Sequence, residues 1–362
     1  MDHIQSGFSK SYAQAREKFL NAALAAGLPV DSNIHPLKGR DGEELAMDVV
    51  LDGDANAQSL LLISSACHGV EGYCGSGVQI HALQNTAWRD AAKAQGVAVL
   101  YIHALNPHGF SHVRRVTHEN VDINRNFQDF SKPLPNNAAY REIQPLLLPE
   151  VWPPDAANEA ATNQYITERG MKAFQAAISK GQHEFPEGLF FGGQAPTWSN
   201  LTVRKMLQKY GQSCQKLAWI DLHTGLGPSG VGERIFACPD DAAAYQRAKK
   251  WWGQGITSIY DGSSSSPMLT GLMWMAACQE CPQAEYTGIA MEYGTQAPEL
   301  VLHALRGDHW LHMHPEASDS LQQQIKQELM NAFYTDTDSW RRQIIDQAMD
   351  AMHQAATGLN AS

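Results

Sequence analysis

Short apolar runs separated by longer amphipathic stretches set the rhythm of this chain. Residues 46–51, 60–64, 97–103, 217–222, 234–238 and 289–292 read as strands, because brief apolar runs bounded by turn residues fit strands buried in a sheet. Amphipathic stretches such as 78–95 and 161–180 lie between them, and the alternation predicts an α/β fold. The terminal stretches 7–26 and 318–356 read as helices with mixed polar faces that pack on the outside of a core spanning about residues 40–315. A chain of 362 residues has room for one large domain or two small ones. No glycine-serine linker or internal repeat divides it, so residues 1–362 are expected to form a single domain.

Charge narrows the classes of partner. The formal net charge is −11 and no basic run occurs, which excludes a nucleic-acid partner, since phosphate polymers need clustered lysine or arginine. No stretch approaches the apolar length of a membrane span, and the amino terminus lacks a charged segment followed by an apolar core. A cytoplasmic protein with no membrane partner is expected. The six cysteines are then expected to be reduced and packed. Cys278 and Cys281 form a C-x-x-C pair without a second pair to complete a zinc site.

The chemistry concentrates where apolar runs end. Leu60 to Ile63, carried onward by Ser64 to Cys67, leads to His68-Gly69-Val70-Glu71, an imidazole and a carboxylate at a strand's carboxyl end, where α/β sheets usually build ligand sites. Zinc takes such ligands, and a catalytic zinc keeps three of them and leaves one position open. His223 ends another apolar run and is the third candidate, with Asp221 two residues earlier on the same side of an extended strand. Glu292 interrupts the late run 288–295, and a carboxylate so placed calls for a buried partner or a catalytic role. Arg114, Arg115 and Arg125, with asparagines beside the last, offer guanidiniums for an anionic substrate or an oxyanion.

Five ordered blocks carry a family resemblance: H-G-V-E at 68–71, N-P-H-G-F at 106–110, the arginine block through D-I-N-R-N-F at 122–127, D-L-H-T-G at 221–225 and M-E-Y-G at 291–294. Together they resemble the zinc metallocarboxypeptidases of the carboxypeptidase A superfamily, which includes the aspartoacylase and succinylglutamate desuccinylase deacylases. The resemblance implies a central twisted mixed β-sheet flanked by helices, and one Zn2+ held by His68, Glu71 and His223. It implies Glu292 as general base, Arg115 or its neighbour Arg114 at the scissile carbonyl, Asn124 and Arg125 on a terminal carboxylate, and Tyr260 as a capping phenol. It further implies hydrolysis of an amide beside a free carboxylate in a small peptide, or alternatively in an N-acyl amino acid. A binding protein without turnover is disfavoured, because a base stands beside a full ligand set. His108 replaces the aspartate usual in the second block, and the region 131–159 has no counterpart in a minimal carboxypeptidase, so it is expected to roof the site. The aromatic loop 185–194 is a second candidate to line that roof, with packing as the simpler expectation. His103, His108, His112 and His118 leave room for a second ion. The oligomeric state has no signature in the sequence.

Overall fold

The computed structural model describes residues 3–361. Its strands are β1 (Val30–Lys38), β2 (Glu44–Asp52), β3 (Ser59–Ser65), β4 (Val97–His103), β5 (Lys216–Ser229), β6 (Gly232–Phe236) and β7 (Glu285–Gly294). They form one seven-stranded sheet in the order β1-β2-β4-β3-β5-β7-β6. The four central strands β4, β3, β5 and β7 run parallel, and antiparallel pairs close both sides, so the sheet is mixed.

Each expected strand is present. The parallel centre explains their legibility, since Leu60 to Ile63 and Val97 to Ile102 are at most 3% exposed and so read as unbroken apolar runs. The strand that the pattern misses is β1, at the sheet edge. Its sequence VDSNIHPLK is half exposed, contains Pro36, and pairs only with β2, which suits an edge but breaks the apolar signal.

Helices cover both faces and are more divided than expected. The stretch 78–95 falls into two helices, Gly72–Gln84 and Thr86–Ala94, with Asn85 capping the second by accepting from Trp88 N. The stretch 161–180 is likewise split, into Ala156–Arg169 and Met171–Ser179, by Gly170 at φ 87°. The expectation of peripheral termini is corrected. In helix Asp338–Asn360 a face of Trp340, Ile344, Ala348, Ala351, Met352 and Ala355 is at most 2% exposed. In helix Tyr12–Ala25, Tyr12 and Phe19 are buried, and the Tyr12 hydroxyl accepts from Ala46 N at 2.8 Å. Alanine-rich faces approach a sheet closely while reading as only weakly apolar, which is why these helices look peripheral in sequence.

The parallel centre sets the position of the site. The chain passes from β3 to its neighbour β4, then crosses back to β5 on the other side of β3. Connections leaving β3 and β5 therefore diverge, and a crevice opens at their carboxyl ends.

Candidate metal centre and active site

Strand β3 ends at Ser65, and Ala66 at φ 59° turns the chain toward His68. The turn Gly69–Glu71 then leads into helix Gly72–Gln84. Gly69 is required there, because a Cβ would stand 2.1 Å from the Gly109 carbonyl carbon and 2.3 Å from Phe110 N. The same turn donates from Gly69 N to Arg115 O at 3.0 Å and from Val70 N to Arg114 O at 2.9 Å, fixing it to the arginine loop. Asn106 holds that loop from beneath, accepting from Gly109 N at 2.9 Å. On the adjoining strands the register sets His223 of β5 beside Glu292 of β7.

The three ligand-type side chains converge. His68 Nδ1 lies 2.8 Å from Glu71 Oε1, and His223 Nδ1 lies 3.0 Å from Glu71 Oε2. Ligand atoms of His68, Glu71 and His223 all fall within 4.8 Å of one another, and all three residues are buried. The far side of each ring faces a carboxylate. His68 Nε2 is 3.3 Å from Asp122 Oδ1 and His223 Nε2 is 2.6 Å from Asp221 Oδ2. Two imidazoles and a carboxylate with carboxylates behind them suit a divalent metal ion, because the outer partners fix ring orientation and tautomer.

Asp122 is the residue that the sequence reading left without a role. It is fully buried, accepts from Arg115 Nε at 3.0 Å and Asn124 N at 2.9 Å, and touches His68. Burial opposes its charge, yet Arg115 and His68 hold it well below the usual carboxylate range. Asp221 is anchored in turn by Ser64 Oγ at 2.5 Å. Cys67, Asp221 and His223 form a second group of potential donors. It shares His223 with the first, and burial keeps the Cys67 thiol protonated by pushing it well above its ordinary value.

Arg115, Asn124, Arg125 and Glu292 line one cavity with the ligand triad. Arg115 Nη1 is 3.3 Å from Glu71 Oε1 and Nη2 is 2.7 Å from His68 Nε2. Glu292 accepts from Leu226 N at 3.0 Å, and burial followed by repulsion from Glu71 raises its carboxyl above the ordinary range. Asn124 accepts from Met273 N at 2.9 Å. Arg125 donates twice to Ser179 O, at 3.1 and 2.6 Å, and once to Asn124 O at 2.9 Å, and burial lowers it to about 10. Phe190, at φ 54°, presents its ring to both guanidiniums, 5.0 Å from Arg115 and 5.5 Å from Arg125.

Two expected site residues are not brought in. Arg114 points away from the cavity into a buried cluster, where it donates to Asp308 at 2.9 Å and Asn120 at 3.0 Å. Adjacent residues on this loop face opposite ways, and the carboxylate of helix Pro298–Met313 takes Arg114. Tyr260 does not line the cavity, because its hydroxyl donates to Cys238 O at 3.0 Å. Of the two segments expected near the roof, one takes part. Ser179 and Phe190 line the cavity and no residue of 131–159 does, so the loop 185–194 contributes to the site as well as packing. His103 stands apart, hydrogen-bonded to Ser76 at 2.8 Å. His108, His112 and His118 gather around His35 instead, and among the described residues they form no group of converging donors. All six cysteines are free thiols. Among the described residues no helix is long and apolar enough to cross a membrane.

Solved structures of low sequence identity share this fold. Bovine thrombin-activatable fibrinolysis inhibitor, in complex with tick carboxypeptidase inhibitor, matches with a TM-score of 0.51 at 10% identity, covering 97% of this chain and 97% of that one. A second structure of thrombin activatable fibrinolysis inhibitor gives 0.50 at 11% identity, with 97% and 74% covered. Carboxypeptidase A from Helicoverpa armigera gives 0.44 at 12% identity, with 89% and 74% covered. The chain itself belongs to the family described as "Protein of unknown function (DUF2817)", which it matches over residues 8–347. No curated protein matches it.

Proposed function

We propose that this protein is a zinc-dependent hydrolase that cleaves an amide bond beside a free carboxylate, acting on small peptides as a metallocarboxypeptidase. The observation that carries this reading is the convergence of His68, Glu71 and His223 within 4.8 Å, in one cavity with Glu292, Arg115 and Arg125. Zinc bound by those three residues would supply Lewis acidity toward a carbonyl and make water a stronger acid.

The remaining roles belong to the chain. Glu292, buried and raised above an ordinary carboxyl, suits a group that takes a proton from the attacking water and passes it to the leaving amine. Water oxygen joins the carbonyl carbon, the carbon–nitrogen bond breaks, and the amine leaves with that proton. Arg115 faces the ligand triad and would stabilise negative charge that develops on the carbonyl oxygen, a contribution larger in the tetrahedral state than in the planar amide. Among the described residues no carboxylate forms an ion pair with Arg125, so its charge is available to a substrate carboxylate, with Asn124 beside it. Gripping that carboxylate sets which amide reaches Glu292.

A second reading keeps the chemistry and changes the acyl group: an N-acyl amino acid deacylase. The enclosure of Arg125, 3% exposed beneath Ser179 and Phe190, favours it by disfavouring large substrates. Metal analysis of the purified protein, followed by a screen of peptides and N-acyl amino acids with free and amidated carboxyl ends, tests both. Zinc at one ion per chain and hydrolysis confined to free acids are expected. Equal turnover of amidated substrates would remove the role given to Arg125.

A further inference from the structure

Arg115 and Arg125 bring like charges to one cavity, and they are held there differently. Arg115 pairs with Asp122 at 3.0 Å and with Glu71 at 3.3 Å. Arg125 rests on carbonyl oxygens, with two bonds to Ser179 O and one to Asn124 O, and a carbonyl is a weaker partner for a buried cation than a carboxylate. Those bonds occupy three of the five N–H groups of a guanidinium, so two are left for a ligand. Phe190 adds a contact of another kind. Its ring centroid lies 5.5 Å from Arg125 and 5.0 Å from Arg115, so one ring serves both cations.

The backbone at Phe190 conflicts with the residue type. Its φ of 54° lies in the left-handed region, where glycine is at ease and phenylalanine is strained. Hydrogen bonds on either side impose that conformation. Phe190 O accepts from Gln182 N at 3.2 Å, Phe191 O accepts from Asp122 N at 2.7 Å, and Gly192 N donates to Gln182 O at 2.8 Å. Asn126 Nδ2 donates to Gly192 O at 2.9 Å. The segment that delivers the ring is thus tied to the block 122–126, which bears Arg125 and supports His68. Strain of this sort persists where the surroundings over-determine it, and it clusters at functional sites.

We infer that Phe190 is the positioning residue of the carboxylate seat: its ring takes the place of a counter-ion, holding the Arg125 guanidinium beside Arg115 while leaving its charge to the substrate. The inference rests on the proposed grip of Arg125 on a substrate carboxylate. An acidic side chain at this place would hold the cation more strongly, but it would compete with the ligand and neutralise the seat. A saturated side chain would exclude water as well as the ring does and would supply no quadrupole. Arg115 keeps Asp122 and Glu71 whichever side chain residue 190 carries. The contribution of the ring therefore falls on carboxylate binding and not on the chemical step.

The test uses the zinc-loaded full chain, as wild type, as Phe190→Leu, which stays apolar and removes the π face, and as Phe190→Tyr, which keeps that face. Calorimetric titration with pentanoate and pentanamide, neither of which has a peptide bond to cleave, reads the seat alone. Hydrolysis of N-acetyl-alanyl-alanine with a free or an amidated carboxyl end reads turnover. The wild type is expected to prefer pentanoate over pentanamide by about tenfold or more. Phe190→Leu should weaken pentanoate binding by about tenfold and raise KM for the free acid by about as much, with kcat within about twofold, the effect of losing a desolvated cation–π contact. Phe190→Tyr should keep both quantities within about twofold of the wild type. If Phe190→Leu does not fold, Phe190→Met, an unbranched apolar replacement, takes its place. No preference for pentanoate in the wild type, unchanged binding and KM in Phe190→Leu, a Phe190→Tyr chain as impaired as Phe190→Leu, or a fall in kcat at constant KM each overturns the inference. A pentanoate seat that depends on Phe190 in a chain that cleaves neither peptide would sink the hydrolase and keep the inference. Hydrolysis confined to the free acid and indifferent to Phe190 would do the reverse.

Discussion

Asp122→Asn is the substitution that most directly probes how the centre is held. The carboxylate is fully buried, with Arg115 Nε at 3.0 Å, Asn124 N at 2.9 Å and His68 Nε2 at 3.3 Å. Asparagine keeps the shape and an acceptor oxygen in place of Oδ1, which faces both Asn124 N and His68 Nε2, but loses the charge behind His68 and the Oδ2 acceptor toward Arg115 Nε. Breaking a buried ion pair costs about 3–5 kcal/mol. Arg115 retains Glu71 at 3.3 Å, so the loss should fall near the lower figure, about 3 kcal/mol. Losing the carboxylate behind a metal-binding histidine weakens metal affinity by about 10- to 100-fold. Competition with a fluorescent zinc chelator reads the affinity, and thermal unfolding at saturating zinc reads the stability. Asp308→Asn is the control, since Asp308 pairs with Arg114 and Lys326 outside the cavity and should lower stability with zinc affinity unchanged. Zinc binding by Asp122→Asn within about twofold of the wild type would refute the claim that Asp122 positions His68.

Three further outcomes are expected. Glu292→Gln should lower turnover by about a thousandfold while retaining one zinc per chain; substantial residual hydrolysis would move the base elsewhere. Tyr260→Phe should leave kcat/KM within about twofold, because the hydroxyl is spent on Cys238 O at 3.0 Å; a large fall in kcat would restore the capping phenol. Burial opposes the charge of Asp308, but Arg114 and Lys326 hold its carboxyl below the ordinary range. A depressed carboxyl contributes stability that is present above its unfolded value of about 3.9 and is lost as pH falls through the lower folded value. Denaturant midpoints measured between pH 6 and pH 3 should therefore decline less steeply for Asp308→Asn than for the wild type, and parallel slopes would contradict this.

What the sequence discloses and what it hides follows from how far each feature depends on neighbours distant along the chain. His68 and Glu71 sit within one turn, and a turn after an apolar run is visible locally. His223 and Glu292 become partners only through the register of β5 and β7, yet His223 ends an apolar run and Glu292 interrupts one, so each can be suspected alone. Asp122 stands in the most specific block of the chain, but its role is to support His68 from behind, and nothing in the linear pattern says which ring it meets. Arg114 and Arg115 are indistinguishable by position and type. Only Asp308, 194 residues further on, decides that Arg114 turns outward. The edge strand β1 and the alanine-rich face of helix Asp338–Asn360 are hidden for the opposite reason, since each lacks the apolar contrast that marks an element buried against the sheet.

Charge balance offers an independent argument for the nature of the ion. Glu71, Asp122, Asp221 and Glu292 are buried together around the cavity. Against these four carboxylates stand the two guanidiniums Arg115 and Arg125, while Arg114 and Lys326 are committed to Asp308. The formal deficit is two positive charges, in a setting where uncompensated buried charge is expensive. Two protons offset it when no ion is bound: one on Glu292, raised by burial and Glu71, and one on His223, where burial opposes the charge but Asp221 and Glu71 raise the imidazole well above its ordinary value. A divalent cation at the meeting point of His68, Glu71 and His223 would take the place of those two protons, leaving the imidazole neutral and Glu292 free to act as a base. Neutral imidazole nitrogens add a preference for a borderline metal over a hard one such as magnesium or calcium. Donor type and charge are thus both compatible with a divalent borderline ion at this triad.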